Sequence, residues 1–169
     1  MGFGRILMQL TAACLALACG GTAAAVVPSP AGEAAQWEVG AGAIDSFETD
    51  TYGLLFVGHN FAWNWHGLRL WTGALVVETG AFWCGGGLRF VVQLDQNWRV
   101  GAASGPGYFN ESDELDLGHE VELYSTIELA RAIGGAGHLV VDVGHMSNAG
   151  LGDYNPGATT FRLSFRRDY

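Results

Sequence analysis

The sequence predicts an all-β protein, an eight-stranded antiparallel barrel of the outer-membrane kind, and three observations predict it. The chain opens with an export leader. The rest is apolar in composition, 49% hydrophobic over the whole chain, yet after the leader no segment reaches the roughly 18 consecutive apolar residues of a membrane helix. What it has instead is repeated alternation of apolar and polar residues, which is the period of a β-strand with two unlike faces.

The leader occupies residues 1–25. Arg5 supplies a positive start, Ile6 to Ala18 is an almost unbroken apolar run, and Ala23-Ala24-Ala25 is a small-residue cleavage site. Cleavage there leaves residues 26–169 as one domain. Leu-Ala-Cys around Cys19 hints at a lipoprotein leader, but Ala16 and Leu17 fit that pattern poorly. Cys14 and Cys19 depart with the leader, so Cys84 has no intrachain disulfide partner, and beside Trp83 it reads as a packing residue.

The formal charge is −9, and every basic residue is arginine. An acidic exported chain argues against a nucleic-acid partner and offers no polybasic patch for anionic headgroups.

The strands follow from the alternation. Val121, Leu123, Ser125, Ile127 and Leu129 form one row, and Glu120, Glu122, Tyr124, Thr126 and Glu128 the other. Near the C-terminus Phe161, Leu163, Phe165 and Tyr169 alternate with Thr160, Arg162, Ser164, Arg166 and Asp168. Leu88, Phe90, Val92 and Leu94 alternate with Arg89, Val91, Gln93 and Asp95. A soluble β-barrel binding protein could also alternate. Two features favour the membrane: segments that reach the 9–11 residues of a spanning strand, and a chain that ends on an aromatic residue in the apolar row.

Eight strands are expected at 36–45, 51–61, 67–79, 87–95, 97–108, 119–131, 137–147 and 158–168. An eight-stranded barrel has a lumen filled by side chains, so transport is disfavoured. Glu120, Glu122 and Glu128 are expected to meet arginines there. With both termini in the periplasm, short turns fall at Gln96 and at Gly134-Gly135-Ala136. The acidic stretch from Phe109 to Gly118 and the stretch from Asn148 to Gly157 become long external loops. Trp37, Trp71, Trp83 and Trp98 read as an interfacial belt. Gly85-Gly86-Gly87 reads as a loop. His59, His66, His119 and His138 show no metal spacing. For Glu111, Asp113, Glu114 and Asp116 a solvated loop is favoured over calcium bridging to phosphates.

The chemistry-bearing stretch is GHMSNAGLGDYNPG, residues 144–157. The apolar row Leu139, Val141, Val143 continues by twos into His145 and Ser147, which puts both on the outward face at the outer end of the strand. Polar side chains there are expensive. Residues i and i+2 of a strand point the same way, so His145 can take the Ser147 hydroxyl proton. That is the base and nucleophile pair of acyl-transfer enzymes. The amide of Asn148, or the backbone N–H groups of Asn148-Ala149-Gly150, can hold an oxyanion.

His145-Met146-Ser147-Asn148-Ala149-Gly150, followed by Asn155-Pro156-Gly157 and a final strand, resembles the lipid A 3-O-deacylase (PagL-type) family. The resemblance implies an eight-stranded outer-membrane barrel that hydrolyses an ester-linked acyl chain of lipid A without a cofactor or metal. Its partners would be lipopolysaccharide and the surrounding outer-membrane lipids, and such barrels can pair as homodimers. By resemblance His145 is the base, Ser147 the nucleophile and Asn148 an oxyanion contributor. The family's acid, a glutamate early in the last strand, is replaced here by Thr159. A threonine hydroxyl can accept from the imidazole N–H but carries no charge. Three readings stay open: Asp153 substitutes as the acid, a Ser-His dyad works with Thr159, or the barrel is catalytically impaired and serves structure or envelope interaction. Asp142 lies on the opposite face.

Overall fold

The computed structural model describes residues 27–28, 34–46, 50–135 and 137–169. The expected leader lies outside them. Eight long strands are described: β1 Gln36–Ser46, β2 Thr51–Trp65, β3 Leu68–Val77, β4 Phe82–Gln93, β5 Trp98–Asn110, β6 Val121–Ala132, β7 Gly137–Ser147 and β8 Ala158–Asp168. Each pairs antiparallel with its sequence neighbours, and β1 pairs with β8 along its whole length, which closes the barrel. Closure removes every free edge of the sheet. Val27–Pro28 pairs with Gln93 and Val92, just past the point where β3 stops covering β4.

The alternation becomes two surfaces. On the outside stand Val39, Leu55, Val57, Ile127, Leu129, Leu139, Val141, Val143, Phe161, Leu163 and Phe165, all exposed. Trp37 stacks on the final residue, Tyr169, with ring centroids 6.3 Å apart, and the Tyr169 hydroxyl is 2.8 Å from His59 Nε2. Aromatic rings with one polar end suit the membrane interface.

Inside, arginines and carboxylates interlock. Arg166 donates to Glu38 Oε2 at 2.6 Å and to Glu128 Oε2 at 2.8 Å. Arg89 pairs with Glu128, and Arg162 reaches Asp142 Oδ2 at 2.8 Å. All six side chains are buried. Each charge has an opposite charge beside it, the condition under which buried ions are tolerable. The lumen is therefore filled by side chains. Towards the other end Trp71, Trp83 and Tyr124 pack together, with centroids of 5.9 Å between the indoles and 5.2 Å from Trp83 to Tyr124.

The structure corrects several expectations. Gly85-Gly86-Gly87 is strand, not loop: β4 begins at Phe82 and Gly85 pairs with Gly107. Glycine has no side chain to alternate, so the triplet hid the strand's start. Trp71 and Trp83 are core residues rather than belt residues, because the parity of β3 and β4 turns them inward. Cys84, of opposite parity, is exposed on the outer wall rather than packed. Strand β2 runs on through Trp63-Asn64-Trp65 by way of a bulge between Asn60 and Asn64. Of the three expected lumen glutamates only Glu128 meets arginine. Glu120 precedes β6 and is exposed. Glu122 is buried near the outer rim with no hydrogen-bond partner on either carboxylate oxygen.

Candidate active site

His145 and Ser147 end β7 on the outward row, each half-buried, while Gly144, Met146 and Asn148 face inward. Thr159, second residue of β8, is also half-buried and lies directly opposite His145 in the ladder. His145, Ser147 and Thr159 thus share one patch of outer wall. The imidazole also makes a hydrogen bond with the backbone carbonyl of Ala158. Gly157, at φ +67°, leaves the space that the ring occupies.

Ser147 Oγ is held from the loop side. It accepts from the Ala149 backbone N–H at 3.2 Å and from Asn155 Nδ2 at 3.1 Å, and stands 3.4 Å from Asn155 Oδ1. Asn155 Oδ1 in turn takes the Asn148 backbone N–H at 3.3 Å. Ala149 and Gly150 both have left-handed backbone, at φ +55° and +83°. For Ala149, which is not a glycine, such a conformation is uncommon and persists where the surroundings hold it in place.

The Asn148 side chain points away from the nucleophile. It is fully buried, and Nδ2 donates to the carbonyls of Tyr154 at 2.7 Å and Leu117 at 3.2 Å. Its Oδ1 accepts from Gly150 N–H at 2.9 Å. One side chain therefore ties the 148–157 loop to the 111–120 loop and fixes the turn that carries Ala149. Asp153 is exposed on that loop and takes no part in the bonds joining Ser147, Asn148 and Asn155. Asn155 entered the sequence reading as part of the Asn155-Pro156-Gly157 stretch that carries the resemblance, with no role at the nucleophile. Its direct contact with Ser147 depends on how the loop folds back, which no local pattern encodes.

Behind the patch the wall is closely packed. Tyr124 Oη and Thr160 Oγ1 are 2.8 Å apart in the buried lumen. A Cβ on Gly144 would come within 2.5 Å of both Thr160 Oγ1 and the Tyr124 ring. Among the described residues no group of three or more His, Cys, Asp or Glu side chains could hold a metal ion.

The model of the lipid A 3-O-deacylase (PagL) family matches residues 33–167. No curated protein shows a significant match to the chain. Among solved structures, the outer-membrane enzyme PagL is similar, with a TM-score of 0.63 at 18% identity over 79% of this chain and 99% of that one. A de novo designed transmembrane β-barrel reaches 0.63 at 13% identity, covering 84% of this chain and 99% of its own. Neisserial surface protein A reaches 0.58 at 10% identity, covering 82% and 97%. At such identities these likenesses are likenesses of fold. The family model covers most of the chain, so this protein belongs to the lipid A 3-O-deacylase (PagL) family and is a barrel of the bacterial outer membrane.

Proposed function

We propose that the protein removes an ester-linked acyl chain from lipid A, with Ser147 as nucleophile and His145 as base on the membrane-facing wall. The observation that carries this reading is the pairing of those two side chains on an outward row otherwise made of Leu139, Val141 and Val143. A site there meets the ester at the depth where the acyl chains begin, so the lipid need not leave the leaflet.

In the first step Ser147 Oγ attacks the acyl carbonyl carbon, and its proton passes to a ring nitrogen of His145. The carbonyl oxygen becomes an oxyanion. Its donors are the Ala149 backbone N–H and the Asn155 amide, which contact Ser147 Oγ at rest and so lie beside the carbon it attacks. Preorganised donors of this kind are worth about 10²–10³ in rate. The Asn148 side chain acts at one remove, by fixing the turn. The intermediate collapses as the ester oxygen of the sugar leaves and takes the proton back from the imidazolium. Water, deprotonated by His145, then splits the acyl-serine and frees the fatty acid. No cofactor or metal enters these steps.

The opposing reading is a silent barrel of the same fold, and Thr159 in the place of the family's glutamate favours it. Lipid A mass decides between them. In a bacterium whose lipid A is hexa-acylated, the protein should yield a species lighter by one acyl chain, and Ser147→Ala should not. Correctly folded wild-type protein that leaves the masses unchanged would sink the enzymatic reading.

A further inference from the structure

The outward row that holds His145 does not end at Thr159. In the ladder Thr159 lies opposite His145 on one side and Asp45 on the other. Asp45 is exposed on the outer wall, one residue before the end of β1, and Thr51 Oγ1 stands 3.4 Å from its Oδ1. The outward rows of this barrel are mostly apolar, and Asp45 is the carboxylate that the ladder sets beside Thr159. Neighbouring strands lie about 4.8 Å apart. Asp45 is therefore roughly two spacings, about 10 Å, from His145: too far for contact, with Thr159 on the strand between them.

Resting on the deacylase reading above, we propose that Asp45 is the acid of this site, acting on His145 through the hydroxyl of Thr159. A hydroxyl is donor and acceptor at once. In the relay the imidazole N–H, which at rest donates to the Ala158 carbonyl, turns to Thr159 Oγ1, and the Thr159 O–H turns to the Asp45 carboxylate. No proton leaves the imidazole by this route. The carboxylate polarises the hydroxyl, and the hydroxyl fixes the tautomer that leaves the other ring nitrogen free to accept from Ser147. The role that family members give to one glutamate is divided here between two residues on two strands. The barrel closure joins those strands. Asp45 and Thr159 are positioning residues. Asp153, the nearer carboxylate in sequence, sits on the exposed loop and not on this row. The competing arrangement is orientation of the ring by the Ala158 carbonyl alone.

The test measures kcat and KM on lipid A in detergent for barrels whose folding is verified by heat-modifiable migration. Asp45→Asn and Thr159→Val should each lower kcat about tenfold or more, bounded by the roughly 10⁴-fold cost of losing a triad carboxylate. KM should hardly move. The double variant should be no slower than the slower single, since the groups act as a unit. Asp45→Glu and Thr159→Ser should retain most activity, and Thr159→Glu should restore kcat in the Asp45→Asn background. Wild-type kcat in Asp45→Asn, or loss in Asp153→Asn instead, overturns the relay while an inactive Ser147→Ala leaves the deacylase reading standing. A wild type no faster than Ser147→Ala overturns both. If Asp45→Asn does not fold, Thr159→Val against Thr159→Ser decides: equal rates overturn the relay.

Discussion

Gly157 and His145 are fitted to each other: a Cβ on Gly157 would lie 2.9 Å from Cε1 of the imidazole and 3.4 Å from Nε2. The ring can swing and the backbone cannot, so a methyl group there displaces the base rather than the strand. Gly157→Ala also meets a left-handed φ of +67°, which costs an L-residue roughly 1–2 kcal/mol. The expected outcome is a folded barrel with kcat lowered about 10²-fold, the scale of a 1 Å misplacement. Full activity in a folded variant would contradict the fit.

Asn148 and Asn155 make separable contributions. Asn148→Ala leaves the carbonyls of Leu117 and Tyr154 without their donor and frees the turn, at about 1–3 kcal/mol of local stability. Both outer loops should become protease-sensitive as activity falls. Asn155→Ala removes a donor at Ser147 Oγ. It should lower kcat while the Leu117–Asn148 tie, and with it loop protection, persists. Limited proteolysis beside kinetics tells the two apart.

At position 149 the backbone is left-handed with φ +55°. Ala149→Gly adopts it without strain and should keep activity. Ala149→Val places a β-branched residue where such residues are outliers, so the turn should open and the N–H now directed at Ser147 should be lost. Comparable kcat for the two variants would refute the role given to this amide.

In the lumen Glu128 serves both Arg89 and Arg166. Glu128→Ala should cost about 3–5 kcal/mol, because it strands buried cations. The readout is a lower unfolding temperature for the barrel. Lipid A processing should survive at permissive temperature, since the outward row is untouched.

Much of this was legible in the chain. Counting by twos from Leu139 puts His145 and Ser147 on the outer wall, because parity along a strand is a local property. The same count turns Glu128, Arg89 and Arg166 into the lumen, but which of them meet is fixed only by the register between strands. Two things resist it. Glycine carries no alternation, so Gly85-Gly86-Gly87 concealed the start of β4 and left Trp83 without a face. Register between the first strand and the last is fixed only when the barrel closes, so nothing near position 159 points to Asp45. The fold-back of Asn155 onto Ser147 belongs to the same class, since a ten-residue loop takes its shape from its contacts with the neighbouring loop.

The ion-paired interior has a consequence for the cell. A barrel threaded by Arg89, Arg162 and Arg166 with their carboxylates offers no route for solutes across the envelope. Copy number can therefore rise without any cost in permeability. An envelope carrying many such barrels would remain as tight a barrier to small molecules as before.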